Sequence, residues 1–141
     1  PYPARGACGQ HRPLQVHTVM AGGPVSDLAG MLAGMAPVLD ARRWDFAVLA
    51  GDPPAEAFAL IREDEGLTAI IAVTDGAFAR ITLMVHSALE GVGLTAAVSG
   101  VLAGAGIACN IVAGYHHDHL FVPWQRREKA LNLLQRLSQP G

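Results

Sequence analysis

The sequence predicts an α+β fold: a two-layer sandwich with helices on one face of an antiparallel-rich sheet. Three observations predict it. Short alternating or β-branched runs, such as Leu67 to Val73 and Arg80 to His86, recur between Gly/Asp/Pro breaks. Stretches with i, i+3, i+4 apolar spacing occur at 28–35, 94–105 and 130–137. The chain has 141 residues, enough for one compact domain or two very small modules with a real core.

The elements follow in order. Ser26 is positioned to cap a first helix, whose stripe is Leu28, Met31, Leu32 and Met35 and which stops before Pro37. Trp44 to Leu49 reads as a strand, broken by Gly51, Asp52, Pro53 and Pro54. Ala57 to Arg62 suits a strand or a short helix, and a hairpin with Leu67 to Val73 through Glu63-Asp64-Glu65-Gly66 is preferred. Arg80 to His86 alternates, with Ile81, Leu83 and Val85 on one face. A helix over Leu94 to Ala105 carries Leu94, Val98, Val101, Leu102 and Ala105, and Gly106 can end it in a left-handed conformation. Ile107 to Ala113 and His119 to Val122 are strands. Pro123 suits a first helical turn before a last stripe of Ala130, Leu133, Leu134 and Leu137. The order α-β-β-β, then β-α-β-β-α, is ferredoxin-like and duplicated in a degenerate way. The expected organisation is an extension over 1–19, disordered and with Met20 a plausible start, then modules over 20–76 and 77–141.

Composition narrows the function. Hydrophobic residues make up 51% and charged residues only 16%, so part of the surface is expected to be covered in a homodimer or larger assembly. A net charge of −2 without a basic block disfavours nucleic acid. Cys8 and Cys109 form no disulfide framework, which points to a reducing, cytoplasmic setting. The uncharged segment from Gly91 to Tyr115 has bilayer-spanning length, but the Gly104-Ala105-Gly106 break, Asn110 and a change of period argue against a membrane helix.

Longer ordered strings resemble a known family. RITLMVHSALEGVGLTAA at 80–97, NIVAGYHHDHLFVP at 110–123, MAPVL at 35–39 and REDEGLT at 62–68 are similar to small bacterial proteins with tandem ACT-like domains of undefined function. The resemblance spans about Met20 to Leu137. It implies a non-catalytic, amino-acid-binding or regulatory role. The sequence departs from the pattern at 74–79, where a helix and longer link are expected, near Asp52, and at Gly91, where a larger residue is expected. The first module therefore reads as truncated.

The candidate binding segment is His86 to Gly93 with the helix start behind it. Free amides of Val92, Gly93, Leu94 and Thr95 can receive a carboxylate, Glu90 can meet an ammonium group, and Ser87 can add a hydrogen bond. Tyr115 and His116 are expected ligand contacts across an interface. The expected ligand is thus an α-amino acid or similar small anionic molecule; the competing reading is a dimerisation module without a ligand. His116-His117-Asp118-His119 carries good metal-ligating groups, yet adjacent residues diverge, so the expectation is a β-turn centred on His117-Asp118 and no metal. No cofactor motif, Walker loop, nucleophile elbow or zinc-hydrolase signature occurs, Ser87 and His86 are strand neighbours facing opposite ways, and Cys109 lies in apolar sequence, so no enzyme is expected.

Overall fold

A computed structural model describes residues 25–139. The elements are α1 (Leu28–Ala33), β1 (Pro37–Leu49), β2 (Ala59–Glu63), β3 (Gly66–Ala72), β4 (Phe78–Leu83), α2 (Leu94–Gly104), β5 (Asn110–Ala113), β6 (Asp118–Pro123) and α3 (Arg127–Ser138), the last preceded by a 3-10 turn (Trp124–Arg126). The order matches the expected one. The expectations for the extension over 1–19, Met20 and Cys8 lie outside the described residues.

All six strands belong to one antiparallel sheet in the order β2-β3-β1-β4-β6-β5. Long β1 is the seam, paired with β3 on one side and β4 on the other. It begins at Pro37, seven residues before the expected start at Trp44, because Pro37, Val38 and Leu39 already pair with Leu83, Thr82 and Ile81. The register then shifts between Leu39 and Arg43, so residues 40–42 form a bulge. The hairpin β2–β3 turns through Asp64 and Glu65, with Glu63 opposite Gly66.

The helix-facing side of the sheet carries the main core. Ala79, Ile81 and Leu83 of β4 and Leu120 and Val122 of β6 alternate inward and meet Met31 of α1, Leu94, Val98 and Leu102 of α2, and Ala130 and Leu134 of α3. Each α2 residue in that set lies on the stripe expected from spacing. A Schellman arrangement closes α2: Gly106 takes φ 71°, its N–H donates to Ala103 O, and Ile107 N–H donates to Leu102 O at 2.9 Å. Buried Ile107 then packs in the same core as Leu102.

The sheet curls, and its other face encloses an aromatic cluster. Trp44, Phe58 and Phe121 contact one another edge to face, with centroids 5.6 to 6.3 Å apart, and Phe58 reaches His119 of β6 at 4.8 Å. Arg80 sits inside this curl, 4.6 Å from the Trp44 and Phe58 ring centres and 2.9 Å from the Asp40 carboxylate. Hydrogen bonding from Arg42, foremost, holds the Asp40 carboxyl below the usual carboxylate range.

Two local expectations are corrected. Asp27, not Ser26, caps α1: its carboxylate accepts the Gly30 N–H at 2.8 Å. The helix ends at Ala33, and Met35 is buried beyond its end rather than within it. Gly91, where a larger residue was expected, lies where a Cβ would come 3.0 Å from Met31 Sδ and 3.1 Å from Ala88 O, so a side chain there requires Met31 to shift.

Candidate functional site

After β4 the chain runs through Met84 to Gly93 before entering α2. Three backbone bonds fix its first part: Met84 N–H donates to Met35 O, Val25 N–H to His86 O, and Ala88 N–H to Val25 O, all at 2.7 to 2.8 Å. A turn follows, with Gly91 N–H donating to Ala88 O. Gly93 then takes φ 105°, a left-handed value open to glycine, and becomes the residue preceding α2.

Among the described residues no side chain caps α2. Its first orphan amides therefore keep the donor capacity and partial positive charge of a helix start. Leu94 and Thr95, the first two residues of the helix, help to line a cleft of about 90 Å³ together with Ser87, Gly91, Gly114 and Asp118. A single bound water needs roughly 10–15 Å³ on a comparable measure, so the cleft accepts a head group of a few heavy atoms. A second hollow, of about 140 Å³, adjoins it; His86, Ser87, Glu90 and Tyr115 line it, and the stretch 87–89 is common to both.

The expected site residues are thus distributed over two neighbouring spaces. Ser87, Leu94 and Thr95 line the cleft, while His86, Glu90 and Tyr115 line the hollow. The His86, Tyr115 and His116 rings form a cluster with centroids 5.1 to 6.0 Å apart. Val92 is 82% exposed and lines neither space. Gly93 packs toward Leu28.

Asp118, which the sequence reading did not place among the ligand contacts, stands in the cleft. It begins β6, opposite Leu83 on one side and Ala113 on the other. Directly paired antiparallel residues share a face, so Asp118 heads the inward row that continues with Leu120 and Val122. Burial pushes its carboxyl up, against a smaller opposing pull from His117. No ion pair or side-chain hydrogen bond from the described residues compensates it. The β5–β6 turn is corrected accordingly: Gly114 N–H donates to His117 O, so the bend lies at Tyr115-His116, and Asp118 belongs to the ladder.

The histidine run scatters. His116 joins His86 and Tyr115, while His119 turns into the aromatic curl, 2.9 Å from Thr82 Oγ1, where burial, foremost, lowers its pKa. Among the described residues no three His, Cys, Asp or Glu side chains are grouped to hold a metal. Burial pushes the Cys109 thiol up to about 11. No helix of the described residues is long and apolar enough to cross a membrane.

Comparison with known proteins fits this architecture. Two family models, both described as ACT domains, match residues 24–83 and 80–136. A solved Vibrio cholerae protein of unknown function, described as a possible transport protein, is 37% identical, covers 79% of this chain and 96% of its own, and superposes with a TM-score of 0.68. An Agrobacterium tumefaciens protein shares the fold at 20% identity, covering 67% of this chain and 81% of its own, with a TM-score of 0.53. Among curated proteins, none is significantly similar in sequence.

Proposed function

The chain belongs to the ACT-domain family, with two such domains in tandem, and from that membership and the chemistry of the α2 cleft we propose that it binds a free α-amino acid as a regulatory, non-catalytic protein. The observation that carries the reading is a pair of opposite, unmet electrostatic demands in one small space. The α2 start, without a side-chain cap among the described residues, favours an anion, and half-buried Asp118 has no ion pair among them, only a weak pull from His117. A zwitterion satisfies both: its carboxylate takes the amides of Leu94 and Thr95, and its ammonium group takes Asp118. Ser87 adds a hydroxyl, and the ligand's side chain extends toward His86, Glu90 and Tyr115.

The cleft is smaller than the roughly 300–1,000 Å³ of ordinary small-molecule sites. Leu89, which lines it, and Val92, next to Gly91 in the chain, are 69% and 82% exposed and suit coverage by a second copy of the chain. The proposed form is therefore a homodimer whose partner completes the walls. A thermal-shift screen with the twenty amino acids, run at two protein concentrations, tests this. The expected result is a rise in melting temperature with a small subset of amino acids, larger at the higher protein concentration. No response to any of them, with a melting temperature that still climbs with protein concentration, overturns the ligand reading and leaves a dimerisation module.

A further inference from the structure

A second cleft lies beyond the other end of β6. It holds about 380 Å³, within the range of small-molecule sites, and Ala41, Arg42, Arg43, Val73, Thr74 and Trp124 line it. The β1 bulge shapes it. Leu39 pairs with Ile81 and Arg43 with Ala79, so residues 40–42 stand opposite Arg80 alone, and exposed Ala41 and Arg42 are pushed out of the ladder as one wall.

The charges around this cleft are unbalanced. Arg43 donates from Nε to Gly76 O at 2.7 Å and lies 4.7 Å over the Trp124 ring. Arg127 lies 3.8 Å over the same ring and donates from Nη1 to Trp124 O at 2.8 Å. Neither guanidinium has an ion-pair partner among the described residues. Arg42 does pair with Asp40, at 3.1 Å, but the same carboxylate serves Arg80 at 2.9 Å. Nearby acids do not make up the deficit: Asp45 accepts the Ala77 N–H, and Asp75 and Glu128 are exposed and form no ion pair among the described residues. The chain as a whole is negative, so this concentration of arginine does not follow from a basic composition.

Stacking on Trp124 and one backbone acceptor hold Arg43, which lines the cleft, by a single N–H and leave further donors on its fork open, while Arg127, outside the lining, adds positive charge on the same ring. Planar guanidiniums with open donor edges match the oxygen pairs of phosphates and carboxylates. We propose that this cleft binds a small multivalent oxyanion, a phosphate ester or a polycarboxylate, independently of the α2 cleft. Its Trp124 wall gives the site an optical reporter.

Titration calorimetry and tryptophan fluorescence with pyrophosphate and with citrate, at low ionic strength, test the proposal. The expected result is saturable binding of at least one probe, weakened tenfold or more in R43Q and in A41E, and unchanged in R62Q on distant β2. A response to pyrophosphate alone identifies a phosphate ligand; a response to citrate alone identifies a polycarboxylate. A41E places a competing carboxylate at an exposed bulge position, so it remains informative if R43Q fails to fold for want of its bond to Gly76. Absence of binding by both probes, or an A41E protein that binds as tightly as the parent, overturns the proposal.

Discussion

Replacing Asp118 by asparagine separates binding from stability, because the two respond in opposite directions. Asp118 occupies a position on the inward row of β6, and burial disfavours its charged form. The D118N amide keeps the shape and carries no charge to desolvate. The folded carboxyl titrates above 3.8, so the folded state holds more protons and parent stability falls as pH rises from about 3.8 through the folded value. D118N lacks that loss. The ligand-free variant is therefore expected to melt above the parent at pH 7, with the difference vanishing below 3.8, where the carboxyl is protonated in both states. For the liganded protein, an amino acid at a hundredfold excess over its Kd adds ~2.7 kcal/mol. For a chain of this length that corresponds to roughly 10 °C. A hydrogen bond between charged groups contributes about 1.5–3 kcal/mol, so D118N weakens binding by roughly 10- to 150-fold. At the same ligand concentration the residual gain is about 0.3–1.4 kcal/mol, or roughly 1–6 °C. Differential scanning fluorimetry with and without the best amino acid reads both effects. An unchanged ligand shift in D118N refutes the assignment of the ammonium group to Asp118. A variant that melts well below the parent without ligand refutes the claim that the charge is held at a cost to stability.

Two further outcomes follow from the same geometry. Gly93→Ala forces a side chain into φ 105° and sets its Cβ 3.3 Å from Leu28, so about 1–2 kcal/mol of stability is lost in urea denaturation, and ligand shifts fall because the α2 start is displaced. His119 titrates below 6.5 in the folded state, so the unfolded chain binds more protons and stability drops as pH falls through 6.5; NMR titration of its ring and a flatter acid limb in H119Q check this.

Where the fold was legible, the signal was local. The α2 stripe, its Gly106 stop and the β2–β3 hairpin each depend on residues within a few positions of one another. β1 was half hidden because Pro37 and the charged bulge at 40–42 interrupt its pattern, and only pairing with β4 holds them in a strand. The aromatic curl was not legible at all, since Phe58 and His119, from opposite ends of the sheet, meet only when it curls. Asp118 left a usable trace: it stands two and four residues before inward Leu120 and Val122, which puts a carboxylate on an apolar face. Reading it as part of a turn concealed that alternation. The arginine cleft left none, because Arg43 of β1 and the Trp124–Arg127 segment lie about eighty positions apart and meet only in the folded sheet.

The two family matches overlap at 80–83, inside β4, the strand that zips the second half onto β1. Dissecting the chain between its halves would strip β1 of a neighbour along its flank and leave Ile81 and Leu83 without half of their surroundings. The halves are therefore expected to melt together, and a separately expressed half to aggregate rather than behave as a free-standing domain.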